Sequence, residues 1–410
     1  MAVRAPHLHA AVRAFCLAAF AELAPEAGGG EIPFVLDEHG SGLYEYRPLV
    51  RDHVEARAFW LAKLPDAGIA LGELRREPAA GIFARAPDDA SVDRALFHAI
   101  LLPVLSRTAE ACGGFDWEDG AFERIYAELE RSLFGSSRSY AALAPLVGLS
   151  IAERIVLAPG ITVHPSSPQD IALRWPEAKD LLPPRFGEEQ TRRSVVELER
   201  ELSPEDAGPP DAPAELAAAV TALRLATGAP AAAGPVVLER LDWHPFGARP
   251  LPGLASTEPA GDAGRLDPWR GSLAGELLAR LRSFEDDPEL AEALERWELA
   301  LFEDEPARSE YLRESLSALL GGPDGLWAAA MRATLLLADG NRERSGLIDR
   351  LRALARGETG GIQVADDVRR AIVEVLQHDD RARLLTALDE ALLGLRTRPA
   401  GYFSARAVAS

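Results

Sequence analysis

Leu347–Gly357 reads LIDRLRALARG and sits inside a longer run, residues 271–396, in which apolar side chains recur every three or four positions. Leu347, Ile348, Leu351 and Leu354 share one helical face, while Arg342, Asp349, Arg352 and Arg356 fall near the opposite one. A core side and a charged side predict an amphipathic helix. Upstream, Leu273, Leu277, Leu281 and Phe284 form one stripe, and Leu290, Leu294, Trp297 and Leu301 another. Tyr311, Leu312, Leu316, Leu319 and Leu320 make the next, stopped by Gly321-Gly322-Pro323. Asp324 is placed to cap a helix carrying Trp327, Met331, Leu335 and Leu336. After Gly360-Gly361 come Val368, Ile372, Val375 and Leu376, then a polar break at His378-Asp379-Asp380, then Leu384, Leu388, Leu392 and Leu395. Short joins between such helices predict antiparallel neighbours, so residues 266–410 read as an all-α bundle.

At 410 residues the chain can bury more than one core, and 47% apolar with 26% charged residues is an ordinary globular balance. A net charge of −20 argues against a DNA-binding or anionic-membrane surface on the whole protein, because phosphate recognition draws on clustered cations. Any basic site is local. Lysine is confined to Lys63 and Lys179, the rest of the basic residues being arginine, a bias read as genome composition. Cys16 and Cys112 are too few for a disulfide scaffold and fit a reducing, cytoplasmic setting. Met1–Ala24 carries Arg4, Arg13 and an apolar run that mimics a leader, yet Val12, Phe15, Ala19 and Leu23 also form a helical stripe and Glu22 closes the run early. The reading is an N-terminal helix over 1–30, and no stretch approaches a membrane span.

Residues 31–265 predict a mixed α+β domain. Glu31–Leu36 is a strand candidate, Gly42–Tyr46 a short tyrosine-rich segment, and Val54–Leu64 reads as helix or strand. Ala90–Leu105 is a helix expected to break near Pro103, and Phe122, Ile125, Tyr126, Leu129 and Leu133 make another, ended by Gly135. Val156, Ile161 and Val163 around Pro159-Gly160 suggest a hairpin. Ser194–Glu199 and Pro235–Leu241 are strand candidates about a helix at Ala217–Leu225, joined by proline-rich loops. Gly247–Asp267 shows no periodicity, which places the domain boundary near residue 265. No internal repeat is found.

Arg342, Arg344, Arg350, Arg352 and Arg356 outnumber Glu343 and Asp349, a local excess of positive charge in an acidic chain. Such a patch suits a phosphate backbone or an acidic partner, although a solvated face with intrachain ion pairs is the commoner use. Other chemistry is thinner. His378-Asp379-Asp380 lacks the further ligands of a metal dyad, and Asp116–Asp119 and Glu303–Glu305 sit where acids favour a helix start, so neither a metal nor a cofactor is expected. Arg47 and His53, and the lone His164 and His244, read as structural. No phosphate-binding glycine loop, GxSxG elbow or HExxH helix is present.

Ala144–Leu149 (APLVGL) with Ile155–Val163, followed by the order Ala293–Leu301, Ser315–Leu320 (SLSALL), Ala330–Leu337, Leu351–Gly357, Arg369–Leu376 and Leu384–Leu393, resembles bacterial proteins with a C-terminal HEPN domain of the ApeA-like kind. These are associated with abortive infection and phage defence, and the likeness spans residues 120 to 395 in outline. In that family an arginine followed after four to six residues by a histidine forms a metal-independent ribonuclease site across a dimer. Here Leu351-Arg352 and Gly357 match the ends of the segment, but Arg352-Ala353-Leu354-Ala355-Arg356-Gly357 holds no histidine, and Ser317 stands where an acid is expected. Arginine does not deprotonate at such a site.

The resemblance therefore implies a catalytically degenerate, homodimeric sensor, scaffold or binding module, with Arg352 the residue left of the catalytic pair. Arg342, Arg344, Arg350 and Arg356 would then bind RNA or a protein. Two alternatives stay open: an active ribonuclease borrowing His378 or a partner's group, and an unrelated enzyme or ligand-binding protein with a pocket near His164, His244 or Trp175.

Overall fold

The computed structural model describes residues 4–24, 31–39, 43–83, 89–166, 171, 175, 193–203, 209–257, 259, 263–284, 286–399 and 401. The chain forms two compact units: Met1–Ala141 with Arg200–Pro210 and Glu239–Gly247, and Ala142–Glu199 with Asp211–Leu238 and Ala248–Ser410.

In the first unit, α1 (Pro6–Leu23) buries Val12, Phe15, Ala19 and Leu23, as its periodicity requires. A hairpin follows, β1 (Phe34–His39) against β2 (Leu43–Pro48), so the strand starts later than the sequence suggested. Val50–Leu61 resolves as helix, α2 (Val50–Glu55) and α3 (Ala58–Leu61), followed by α4 (Pro65–Arg76). The break expected at Pro103 does not occur. Between α5 (Asp89–Leu96) and α6 (Leu102–Ala111) the chain widens into a π-turn at Phe97–Leu101, which places Pro103 in a first turn where its missing N–H costs little. α7 (Asp119–Phe134) ends before Gly135 and is tied to α1 by His9–Glu123 at 2.9 Å and Arg13–Asp119 at 2.6 Å.

Strands β3 (Arg138–Val147), β4 (Leu149–Ile151), β5 (Ile155–Ala158), β6 (Ile161–Ser166) and β7 (Arg193–Leu202) come next. After α8 (Ala212–Thr227) follow β8 (Ala232–Ala233), β9 (Val236–Leu241), β10 (His244–Pro250) and β11 (Gly264–Leu266). The main sheet has the order β10-β9-β3-β7-β6-β5, with β8 against β3, while β11 runs parallel to β4. The hairpin expected around Pro159-Gly160 is β5 with β6, antiparallel. The interval after Gly247 is less irregular than its composition suggested, since β10 continues through it to Pro250 and β11 lies near its end.

The second unit gathers the helices in their expected order: α9 (Pro268–Ser283), α10 (Pro288–Phe302), α11 (Ala307–Leu320), α12 (Gly325–Leu337), α13 (Asn341–Ala355), α14 (Gly361–Leu376) and α15 (Arg381–Leu392). The same unit takes in β4, β5 and β6, so the contacts do not divide near residue 265. Asp267, Asp287 and Asp380 cap α9, α10 and α15 by accepting from the backbone N–H three residues on, at 2.9, 3.0 and 3.0 Å. Asp324 does not cap α12; its carboxylate accepts from Arg332 at 2.8 Å instead.

Helix α9 lies directly on β5 because two glycines one turn apart open its surface. A Cβ at Gly271 would stand 2.5 Å from Ile155 Cγ2, and one at Gly275 2.5 Å from the Leu157 carbonyl oxygen. Arg332 holds the helices at their ends: it donates to Asp389 of α15 at 2.7 and 2.9 Å and to the carbonyls of Leu320 and Gly321, both at 2.8 Å. Arg224, wholly buried, likewise donates to Glu298, to Ala231 O and to Leu254 O. Three apolar positions depart from the expected stripes. Trp327 is 49% exposed, and Leu392 and Leu395 also face solvent. No described helix is long and apolar enough to cross a membrane.

Candidate functional site on the arginine face of α13

Leu347, Leu351 and Leu354 turn α13 into the core, which leaves the opposite side of the helix to its charged residues. The five arginines meet different fates. Arg350 forms a two-bond pair with Asp367 of α14, Nε to Oδ2 at 2.7 Å and Nη2 to Oδ1 at 3.0 Å. Asp367 is buried, and its hydrogen bonds raise the guanidinium pKa further, so Arg350 is a helix-to-helix tie. Arg344 donates to Ala338 O at 3.0 Å, which closes the turn before the helix. Arg356 pairs with Glu358 at 2.7 Å with both side chains largely in water, a contact of small energy.

Arg352 is exposed, and its guanidinium carbon stands 4.7 Å from the ring centroid of Trp327 at the start of α12. A carboxylate partner is absent for it among the described residues, and Arg342, also exposed, has no recorded ion pair there. The contact sets the Arg352 guanidinium over an aromatic ring without using its N–H donors, which remain available to an anion. Arg342, Arg352 and Arg356 therefore share a solvent-facing ridge with Asp349, while Arg344 and Arg350 serve the fold.

A groove of about 490 Å³ is lined by Glu289 and Glu292 of α10, Glu314, Ser317 and Ala318 of α11, and Gly322-Pro323, with Glu289 paired to Arg381 at 3.1 Å and Glu314 to Arg296 at 3.2 Å. Ser317, the position where the resemblance calls for an acid, thus faces a groove that is already acidic. A second groove, of about 660 Å³, runs along α15 with His378, Arg383 and Arg396 among its lining. Burial lowers the pKa of His378, aided by Arg280 and opposed by Asp379.

His164 and His244 of the α+β part each have a hydrogen-bond partner within the fold. His164 places Nε2 3.0 Å from Glu197 Oε2 and Nδ1 3.0 Å from Pro165 O, so both nitrogens face acceptors, an arrangement that favours the protonated ring. Its hydrogen bond to Glu197 raises its pKa, against the opposing effect of burial. His244 is fully buried, its Nδ1–H donates to Ala99 O at 2.9 Å, and burial pushes its pKa down to about 3. These two belong to different compact units, and Trp175 is wholly buried. His53 is buried 5.5 Å from the Phe115 ring, and the side chain of Arg47 lies outside those described. Asp119 starts α7 and is spent on Arg13 and Trp117, and Glu305 accepts from Ser309 at 2.6 Å. Among the described residues, no group of three or more His, Cys, Asp or Glu is arranged to hold a metal.

Sequence reasoning missed Trp327 as the support for Arg352, because its position in the repeat marks it as core. It also missed Asp367, whose i+17 separation from Arg350 carries no local signal.

No protein-family model, curated protein or solved structure matches the chain.

Proposed function

We propose that this protein is a HEPN-like binding module of a bacterial defence-type system, in which the α13 ridge takes an anionic partner and cuts nothing. The observation that carries this reading is the Arg352–Trp327 stack: an exposed guanidinium, oriented on an aromatic ring and unneutralised by a carboxylate among the described residues. An arginine so placed binds phosphate or carboxylate well and cannot move a proton. Helix α13 has no histidine to supply the missing acid or base. The same module is proposed to work as a homodimer.

A fluorescently labelled single-stranded RNA tests the reading. The wild-type chain is expected to bind the RNA without shortening it, with an affinity that falls as salt rises. Arg352→Ala, which removes the stacked cation, is expected to weaken binding by about tenfold, and Arg344→Ala to weaken it far less. Equal binding by wild type and Arg352→Ala removes the ridge as the site. RNA cleavage that Arg352→Ala abolishes would replace the binding module with a nuclease.

A further inference from the structure

The 660 Å³ groove along α15 is built on a single stripe of that helix: Arg383, Leu384, Ala387 and Glu390 recur at steps of one, three and three residues and all line it. Its volume lies within the range of small-molecule sites. Leu384 and Ala387 are buried and make an apolar floor, with Pro399 beside them in the lining. The arginines stand at the rim, Arg383 88% exposed and Arg396 59% exposed. We infer that this groove binds a small organic carboxylate, its apolar tail lying over Leu384 and Ala387 and its head taken by Arg383 and Arg396.

The rim's charges select the head group. Asp379 is paired with Arg280 at 3.0 Å, and Asp380 spends one oxygen on the backbone N–H of Arg383 as the cap of α15. That leaves Arg383 facing Asp380 at 3.3 Å and Arg396 facing Glu390 at 3.5 Å. Both contacts are long and lie largely in water, so each contributes little and exchanges readily for an incoming carboxylate. Arg332, by contrast, holds Asp389 of the same helix at 2.7 Å with its own side chain buried, a tie that a ligand would not displace. Three carboxylates in the lining repel a polyanion, which favours a head bearing one negative charge. His378 adds a third contact. Its Nε2 is buried and has no hydrogen-bond partner among the described residues. A nitrogen so placed costs free energy, which a carboxylate oxygen relieves by accepting from its N–H.

Isothermal titration of the full-length chain with octanoate tests this. Octanoate is expected to saturate with a Kd below about 1 mM, and octanol and octylammonium, which share its tail, to bind at least about tenfold more weakly. The double variant Arg383→Gln/Arg396→Gln is expected to lose about tenfold in octanoate affinity. Thr386 is an exposed member of the lining, so Thr386→Glu is expected to weaken octanoate and Thr386→Arg to tighten it; circular dichroism confirms that each variant is folded. A titration that does not saturate, octanol or octylammonium binding as tightly as octanoate, or variants that bind octanoate as the wild type does overturns the inference. So does a loss of octanoate binding in Arg352→Ala, which would move the carboxylate to α13. Unchanged octanoate binding in Arg352→Ala supports the groove, whichever way the RNA assay of the ridge falls.

Discussion

A single arginine can do three unlike jobs in this chain, and what surrounds it decides which. Arg352 lies open on a tryptophan, Arg350 is spent on a buried aspartate, and Arg332 is a buried hub with two carboxylates and two carbonyls around it. Truncating Arg332 strands the carbonyls of Leu320 and Gly321 inside the protein and loosens α15. Because Asp389 and Asp324 are about half exposed, water recovers part of the loss, and Arg332→Ala is expected to cost about 2–3 kcal/mol in urea unfolding. A cost below about 0.5 kcal/mol would show that the hub is ornamental.

His164 gives a pH signature. Its folded pKa is raised above 6.5, so the stability it lends is fully present below pH 6.5 and is lost as pH climbs through the raised value. The wild-type urea midpoint is expected to fall across that window, leaving buried Glu197 facing a neutral ring, and His164→Gln is expected to flatten the profile there. An unchanged slope in the variant assigns the pH dependence elsewhere.

At the scale of elements, the contact of α9 with β5 rests on Gly271 and Gly275, and the two are not equivalent. A Cβ at Gly271 meets the branch of Ile155, a side chain that can turn; one at Gly275 meets a backbone oxygen, which cannot move without its strand. Gly275→Ala is expected to destabilise by about 1–3 kcal/mol and Gly271→Ala by clearly less, both read from denaturant midpoints. The reverse order would mean that α9 sits differently on the strand. The π-turn before Pro103 shows the same economy: a proline that periodicity marks as a breaker is accommodated by one widened turn, leaving a continuous helical path from Asp89 to Ala111.

For the molecule as a whole, thiol chemistry reports whether the first unit is closed. Cys16 is wholly buried in α1, and burial raises its pKa far above that of a free thiol, while Cys112 is partly accessible. A thiol reagent at neutral pH is expected to modify Cys112 in the folded chain and Cys16 only on unfolding. Immediate modification of both would place α1 in exchange with an open form.

The seven C-terminal helices, the Gly135 stop of α7 and the β5–β6 hairpin were legible in the sequence, because each rests on a repeat or a contact spanning only a few residues, whereas the caps at Asp267 and Asp287 were not read from it and the one expected at Asp324 is absent. The mixed α/β character and the helical C-terminal half were equally open to reading. What only the tertiary structure decided was which charges are spent: Arg350 on Asp367, Arg332 on Asp389 and Arg224 on Glu298 are pairings across 17, 57 and 74 residues. It alone showed Trp327 to be a surface support and Asp324 a partner of Arg332. Helical periodicity reports which face of a segment avoids water; the identity of what stands opposite that face depends on how distant segments meet, and no local pattern encodes it.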